Sequence, residues 1–138
     1  MSKWNFYIIR GLPGAGKSTL VNSLTKHLEE YEHYEADDYW TSYGQVPYKF
    51  DPTKLHLAHQ ECYQNVEQAI IEECPYVFVS NTFTTSKELE PYLQLAKDHP
   101  HYNLYVLTVE NYNNTSSIHN VPEETLDKME KRYILKLR

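Results

Sequence analysis

Gly11-Leu12-Pro13-Gly14-Ala15-Gly16-Lys17-Ser18-Thr19 is the stretch on which the reading of the chain turns. It satisfies the pattern G-x-x-x-x-G-K-[ST] at every fixed position. Trp4 to Ile9 reads as a buried strand entering the loop, and Lys17 to Tyr31 reads as a helix leaving it. The chemistry explains the spacing. Glycines at 11, 14 and 16 allow a tight turn that aims backbone N–H groups at phosphate oxygens. The N-terminus of the following helix adds the positive end of its dipole. Lys17 has the length to reach β- and γ-phosphates, and the Ser18 hydroxyl is placed to ligate Mg²⁺. We therefore expect a nucleoside triphosphate, ATP with Mg²⁺, held by Gly11, Pro13, Gly14, Ala15, Gly16, Lys17, Ser18 and Thr19.

A length of 138 residues suits one domain, 1–138, and a hydrophobic content of 41% fits a globular core of sheet and helices. The apolar stretch after Lys3 runs straight into the loop, so no signal peptide is expected. No apolar run approaches the ~20 residues that span a bilayer, and a cytoplasmic protein without membrane attachment is the expectation. Cys62 and Cys74 form no metal pattern and read as free buried thiols. The net charge of −6, with arginine only at Arg10, Arg132 and Arg138, argues against a basic face gripping a long nucleic acid. Any such contact must be local, one strand end or one nucleotide. Most of the 13 tyrosines read as core-rim and surface packing, whereas Tyr39, Trp40 and Tyr43 are candidates for stacking on a base.

A short strand near His33 to Ala36 ends in Asp37-Asp38-Tyr39-Trp40. Ligands of open α/β sheets meet the chain at the carboxyl ends of strands, so both aspartates are expected at the site. One can accept a proton from an attacking hydroxyl, and the other fits a helix N-cap. Thr41 to Pro52 reads as a substrate-side loop, after which Asp51-Pro52 opens a helix. Its core face is Leu55, Ala58, Cys62, Val66, Ala69 and Ile70, with His59 beside it as a packing or hydrogen-bonding residue. Pro75 to Ser80 is the most strand-like run, fit for the centre of a parallel sheet. Many phosphate-loop proteins end this strand with an aspartate for Mg²⁺, but here stand Ser80-Asn81-Thr82. Metal binding is then expected to rest on Ser18, with Ser80 or Asn81 as neutral partners.

Thr85 and Glu88 have capping-box spacing at the start of a helix from Ser86 to Asp98, and Tyr102 to Val109 reads as a fourth strand. Glu110 to Asn120 is polar, and Pro122 opens a final helix from Glu123 to about Leu137. Alternating strands and helices predict an α/β domain: three αβα layers, a mainly parallel sheet, and a C-terminal lid and helix. The order 2-3-1-4 is the expectation because it would place Asp37 and Asn81 near the phosphate loop, although the alternation alone does not fix it.

With these residues in hand, the chain resembles the small P-loop kinases related to polynucleotide 5′-kinases and zeta-toxin-type kinases. The likeness runs over almost the whole chain. It is carried by the loop, Asp37-Asp38-Tyr39, Phe50-Asp51-Pro52, Ala58-His59, Ser80-Asn81-Thr82, and His119-Asn120-Val121-Pro122 with Leu126, Met129, Arg132 and Tyr133. The resemblance implies a kinase-type NTPase in which Asp37 is the general base on an acceptor hydroxyl and Lys17 stabilises the transferred phosphoryl group. Asp38, Tyr39 and Trp40 are expected on the substrate side and Ser18 and Asn81 at the metal, and the resemblance adds a lid over ATP from Asn111 to Pro122. Ser116, His119 and Arg132 belong to that lid region. Two departures stand out. The lid arginines of the family are replaced near Thr115, Ser116 and Ser117, and Trp40 stands where phage polynucleotide kinases carry an arginine.

Two functions of different class follow. The first is an ATP-dependent kinase moving the γ-phosphate to a hydroxyl of a nucleic acid, nucleotide or nucleoside. The second, motivated by both departures and by the missing strand-end aspartate, is a catalytically weak ATP-binding module or an ATPase acting through a partner.

Overall fold

The computed structural model describes residues 4–42 and 51–110. Its centre is β1 (Asn5–Arg10), whose NFYIIR sequence is apolar on both faces, as a strand covered on both sides requires. It pairs in parallel with β3 (Tyr76–Asn81) on one side and with β4 (Asn103–Thr108) on the other. β2 (Glu32–Tyr34) pairs in parallel with β3, giving the expected order β2-β3-β1-β4.

Alternation along the strands divides the core. Phe6, Ile8, Val77 and Val79 pack against Cys62, Val66, Ala69 and Ile70 of α3 (Leu55–Ile71) and Leu89, Tyr92 and Leu95 of α4 (Ser86–Asp98). Ile9 and Phe78 point the other way, onto Val21 and Leu20 of α1 (Lys17–Thr25). Each fully buried large apolar side chain contributes about 1.5–3 kcal/mol, so this two-sided packing fixes which way every strand residue faces.

The helix starts follow local rules. Asp51 accepts from the Thr53 N–H at 3.0 Å and caps a 3₁₀ turn, Pro52–Lys54, that leads into α3. Thr85 and Glu88 form a reciprocal capping box at the head of α4. Pro91 lies inside α4, where its ring faces solvent.

Two local expectations change. α1 stops at Thr25 instead of Tyr31. The Thr25 hydroxyl donates to the Val21 carbonyl and the Leu28 N–H bonds the Thr25 carbonyl, turning Leu28 back onto the cluster that holds Val21. The segment after Asp37 forms a short helix, α2 (Asp38–Ser42), where a loop was expected from Thr41. Tyr43, the segment 111–122, Arg132 and the final helix lie outside the described residues. Among the described residues no helix is long and apolar enough to cross a membrane.

At the end of β1, Arg10 is fully buried. Its Nε and Nη2 donate to the Phe83 carbonyl at 3.1 and 2.8 Å, and its Nη1 donates to the Thr108 hydroxyl at 3.4 Å. Phe83 has φ 48°, a left-handed backbone that costs a bulky residue roughly 1–2 kcal/mol. The guanidinium thus holds a strained turn after β3 and ties it to the ends of β1 and β4. We expect Arg10→Leu to lose about 2–3 kcal/mol of stability in urea denaturation, since it strips a buried carbonyl of charged donors. An unchanged midpoint would rule out this clamp.

Cys62 and Cys74 are free and buried. Burial pushes the Cys62 thiol up to about 11 and also raises Cys74. Iodoacetamide at pH 8 should therefore leave both thiols unmodified in the folded protein and label both in urea. Rapid labelling of native Cys62 would contradict its packing.

Candidate active site

The loop leaves β1 at Gly11, where a Cβ would stand 2.9 Å from the Val109 carbonyl oxygen, so the exit of β4 passes too close for any side chain. The Val109 N–H closes this contact by bonding the Arg10 carbonyl at 2.8 Å. Gly14 and Gly16 have φ of 80° and 106°, left-handed conformations that glycine adopts without strain. Gly16 stands at the N-cap of α1, and no side chain caps the helix. The first N–H groups of α1 are therefore offered to whatever anion sits on the loop.

Lys17 begins α1 and folds back across the loop. Its Nζ donates to the Gly11 carbonyl at 2.7 Å and to the Leu12 carbonyl at 3.1 Å. Burial lowers its pKa to about 8, while the carboxylates of Glu35 and then Asp37 pull it upward. Both acids thus act on the phosphate-loop lysine, although they lie on a different strand exit.

That exit is the turn between β2 and α2, and three anchors fix it. The Asn81 side-chain oxygen accepts from the Ala36 N–H at 2.7 Å. The Asp38 carboxylate accepts from the Glu35 N–H at 3.0 Å. Trp40 is 2% exposed, packed with Ala36 and Ala58 and edge-on to Tyr39 at 5.0 Å.

These anchors sort the residues that sequence grouped together. Asp38 is turned back onto its own backbone, where burial raises its pKa against the opposing pull of the Glu35 N–H. Trp40 cannot present its face to a base, because α3 offers a small residue, Ala58, and the indole fills the space above it. Asn81 is engaged at both ends of its amide, since its nitrogen also donates to Cys62 Sγ at 3.6 Å. Its structural contacts are thus to the turn and to α3. Asp37 is half-buried at the tip of the turn, and His59, exposed on α3, lies close enough to feel its charge and that of Glu88. Ser116, His119 and Arg132 fall outside the described residues.

One group went unnoticed in the sequence. His33 Nε2 lies 2.6 Å from the Ser80 hydroxyl, and Ser80 Oγ donates to Glu35 Oε2 at 3.2 Å. Reading the strand through Ala36 made Glu35 an interior strand residue. The strand in fact ends at Tyr34, so Glu35 starts the turn at the carboxyl end of the sheet. Its distance of two residues from Asp37 was the available signal.

Among the side-chain oxygens of the loop and the β2 exit are the Ser18 hydroxyl and the carboxylates of Glu35 and Asp37. They are hard donors of the type that Mg²⁺ takes.

Comparison with known proteins gives the family and the fold. A family model described as an AAA domain matches residues 7–135. Human NEDD4-binding protein 2 is 31% identical over 98 residues, which is 71% of this chain and 5% of that protein. The chain therefore spans a small part of the length of this relative. A chain of the Pnkp1/Rnl/Hen1 RNA repair complex superposes over 100% of this chain and 40% of its own, with a TM-score of 0.62 and 14% identity. A gluconokinase from Sinorhizobium meliloti 1021 superposes over 97% of this chain and 77% of its own, with a TM-score of 0.59 and 12% identity. At such identities the structural likeness speaks to the fold. With the family model covering nearly all of the chain, this protein belongs to the AAA domain family and has a P-loop kinase-like fold.

Proposed function

We propose that the chain is an ATP-dependent kinase that moves the γ-phosphate to a hydroxyl of a nucleic-acid end, a nucleotide or a nucleoside. The observation that carries the reading is the division of the aspartate pair. Asp38 is turned onto the Glu35 N–H, while Asp37 acts on Lys17 across the phosphate loop. A carboxylate whose charge is felt by the phosphate-loop lysine suits the base that an acceptor hydroxyl needs.

In this mechanism the loop amides and the head of α1 bind the phosphates. Lys17 exchanges its loop carbonyls for phosphate oxygens and holds the developing charge. Asp37 takes the proton of the acceptor hydroxyl. The freed oxygen bonds to the γ-phosphorus, the bond to the β,γ-bridging oxygen breaks, and its electron pair leaves with ADP. Mg²⁺, when bound, neutralises charge on the β- and γ-phosphates. Ser18 on the first turn of α1 is the loop residue that would hold it. The net charge of −6 favours an acceptor that is small or touched only at its end.

A second reading is an ATP-binding module or partner-dependent ATPase. Two observations favour it. β3 ends in Ser80-Asn81 without a carboxylate, and the arginine present among the described residues, Arg10, is buried in the clamp. Phosphoryl transfer without an arginine on the phosphates forgoes an effect worth roughly 10³-fold or more in rate.

The experiment follows label from γ-labelled ATP with Mg²⁺ into 5′-hydroxyl RNA and DNA oligomers, nucleosides and nucleoside monophosphates. Transfer to one acceptor class is the expected result, and Lys17→Ala should abolish it. Asp37→Asn should reduce transfer by roughly 10²–10⁴-fold, the usual worth of a general base, with ATP affinity little changed. Full transfer by Asp37→Asn would sink the mechanism, and ATP binding without transfer to any acceptor would favour the second reading.

A further inference from the structure

We propose that Glu35, at the exit of β2, supplies the metal-facing carboxylate that β3 lacks. The proposal rests on the kinase reading and deepens it, by naming the protein's own acidic partner for the divalent cation of ATP.

The sheet register sets up the exchange. Tyr34 pairs with Val79, so the next residues along the two strands, Glu35 and Ser80, stand side by side at the carboxyl end. Ser80 pairs in turn with Ile9 of β1, one residue before Arg10 and the loop. Glu35 therefore starts one strand farther from the loop than a carboxylate on residue 80 would, a distance of about 4.8 Å. Glutamate makes up part of that distance with its extra methylene, and its carboxylate stands at the Ser80 hydroxyl, at 3.2 Å.

Hydrogen bonds then aim it. Ser80 is 1% exposed and has one hydroxyl hydrogen, which it gives to Glu35 Oε2 at 3.2 Å. It must therefore accept from His33 Nε2 at 2.6 Å, which sets the Nε2–H tautomer of His33. The chain His33, Ser80, Glu35 thus ties down one carboxylate oxygen, Oε2. This is how outer partners orient a metal-binding carboxylate. The charge of Glu35 is felt at the loop, where it raises the Lys17 pKa more strongly than that of Asp37 does.

The missing aspartate and the presence of Glu35 explain one another. A carboxylate at position 80 would meet that of Glu35 at hydrogen-bond distance, where two like charges cannot both ionise. A serine there turns the clash into a guide. Ser18 and Glu35 then provide two oxygen donors, a number that suits Mg²⁺ bound mainly by phosphates and water.

The test uses Mn²⁺ as the spectroscopic cation and the β,γ-imido analogue of ATP. Free and bound Mn²⁺ are read by electron paramagnetic resonance, and analogue affinity is measured separately with and without metal. We expect Glu35→Gln to weaken Mn²⁺ binding to the analogue complex by roughly 10–100-fold. Metal-free analogue affinity should be unchanged or tighter, because a negative charge has left the phosphate site. Adding Ser80→Asp to Glu35→Gln should restore Mn²⁺ affinity by returning a carboxylate to the end of β3. Unchanged Mn²⁺ affinity in Glu35→Gln overturns the proposal and leaves the kinase reading standing. Equal loss of metal-free analogue binding in Glu35→Gln, with no recovery in the double variant, overturns it as well and gives Glu35 a purely structural role. Failure of the unmodified protein to bind the analogue under any condition removes the kinase reading, and this proposal with it.

Discussion

The Arg10 guanidinium on the Phe83 carbonyl is the interaction on which the geometry of the site depends. β1 has to end where the phosphate loop begins, so its last residue stands between the exits of β3 and β4. An apolar side chain there would fill the space but leave the turn after β3 to find its own conformation. The planar fork of an arginine reaches both exits at once, Phe83 on one side and Thr108 on the other. The backbone of the same residue receives the Val109 N–H. Both walls of the loop are thereby fixed from one residue, which is why Gly11 can pass so close to Val109 without collapse.

Within those walls the governing quantity is the charge on Lys17. Taking an ammonium partly out of water weakens its hold on the proton, and carboxylates nearby restore it. Triphosphate oxygens would act in the same direction and more strongly, since they carry more charge on the same site. Lys17 meanwhile is held by two loop carbonyls, neutral acceptors that a charged oxygen outcompetes. A half-buried cation with exchangeable partners is suited to binding an anion, whereas one locked in an ion pair would have to break it first.

What sequence made legible was whatever is written locally. The phosphate loop, the capping box of Thr85 and Glu88, the Asp51-Pro52 start and the apolar face of α3 are all patterns within a few residues, and the structure contains each of them. The strand order observed is the one expected from placing Asp37 and Asn81 near the loop, an argument from the site that the strand pattern alone does not supply. The site was legible only in part, because its side chains are sorted by pairs far apart in the chain. Ala36 meets Asn81 and Glu35 meets Ser80 across 45 residues. Trp40 looked available beside two aspartates until Ala58, a small residue on another helix, made room for it in the core. The length of α1 was missed for a similar reason. Its end is set by Leu28 returning to the core rather than by any stop signal in the helix.

The turn from Glu35 to Trp40 shows why such distant anchoring is needed. It carries three acidic residues, Glu35, Asp37 and Asp38, within four positions. Their mutual repulsion opposes folding, and the charge of Asp37 adds to the rise in the pKa of Asp38. A flexible turn would relieve this by swinging the carboxylates into solvent. Here Asn81 holds the backbone, Trp40 is buried behind it, and Asp38 is tied to a backbone N–H. The repulsion is thus retained rather than relaxed, and a fold that served stability alone would have placed fewer acids there. Cations remove that repulsion, and Lys17 already answers to two of the three carboxylates. An anchored acidic turn whose charge is felt by a half-buried lysine is therefore a site with its unfavourable electrostatics arranged in advance, so that binding a charged ligand with its own cation relieves repulsion that the fold alone cannot.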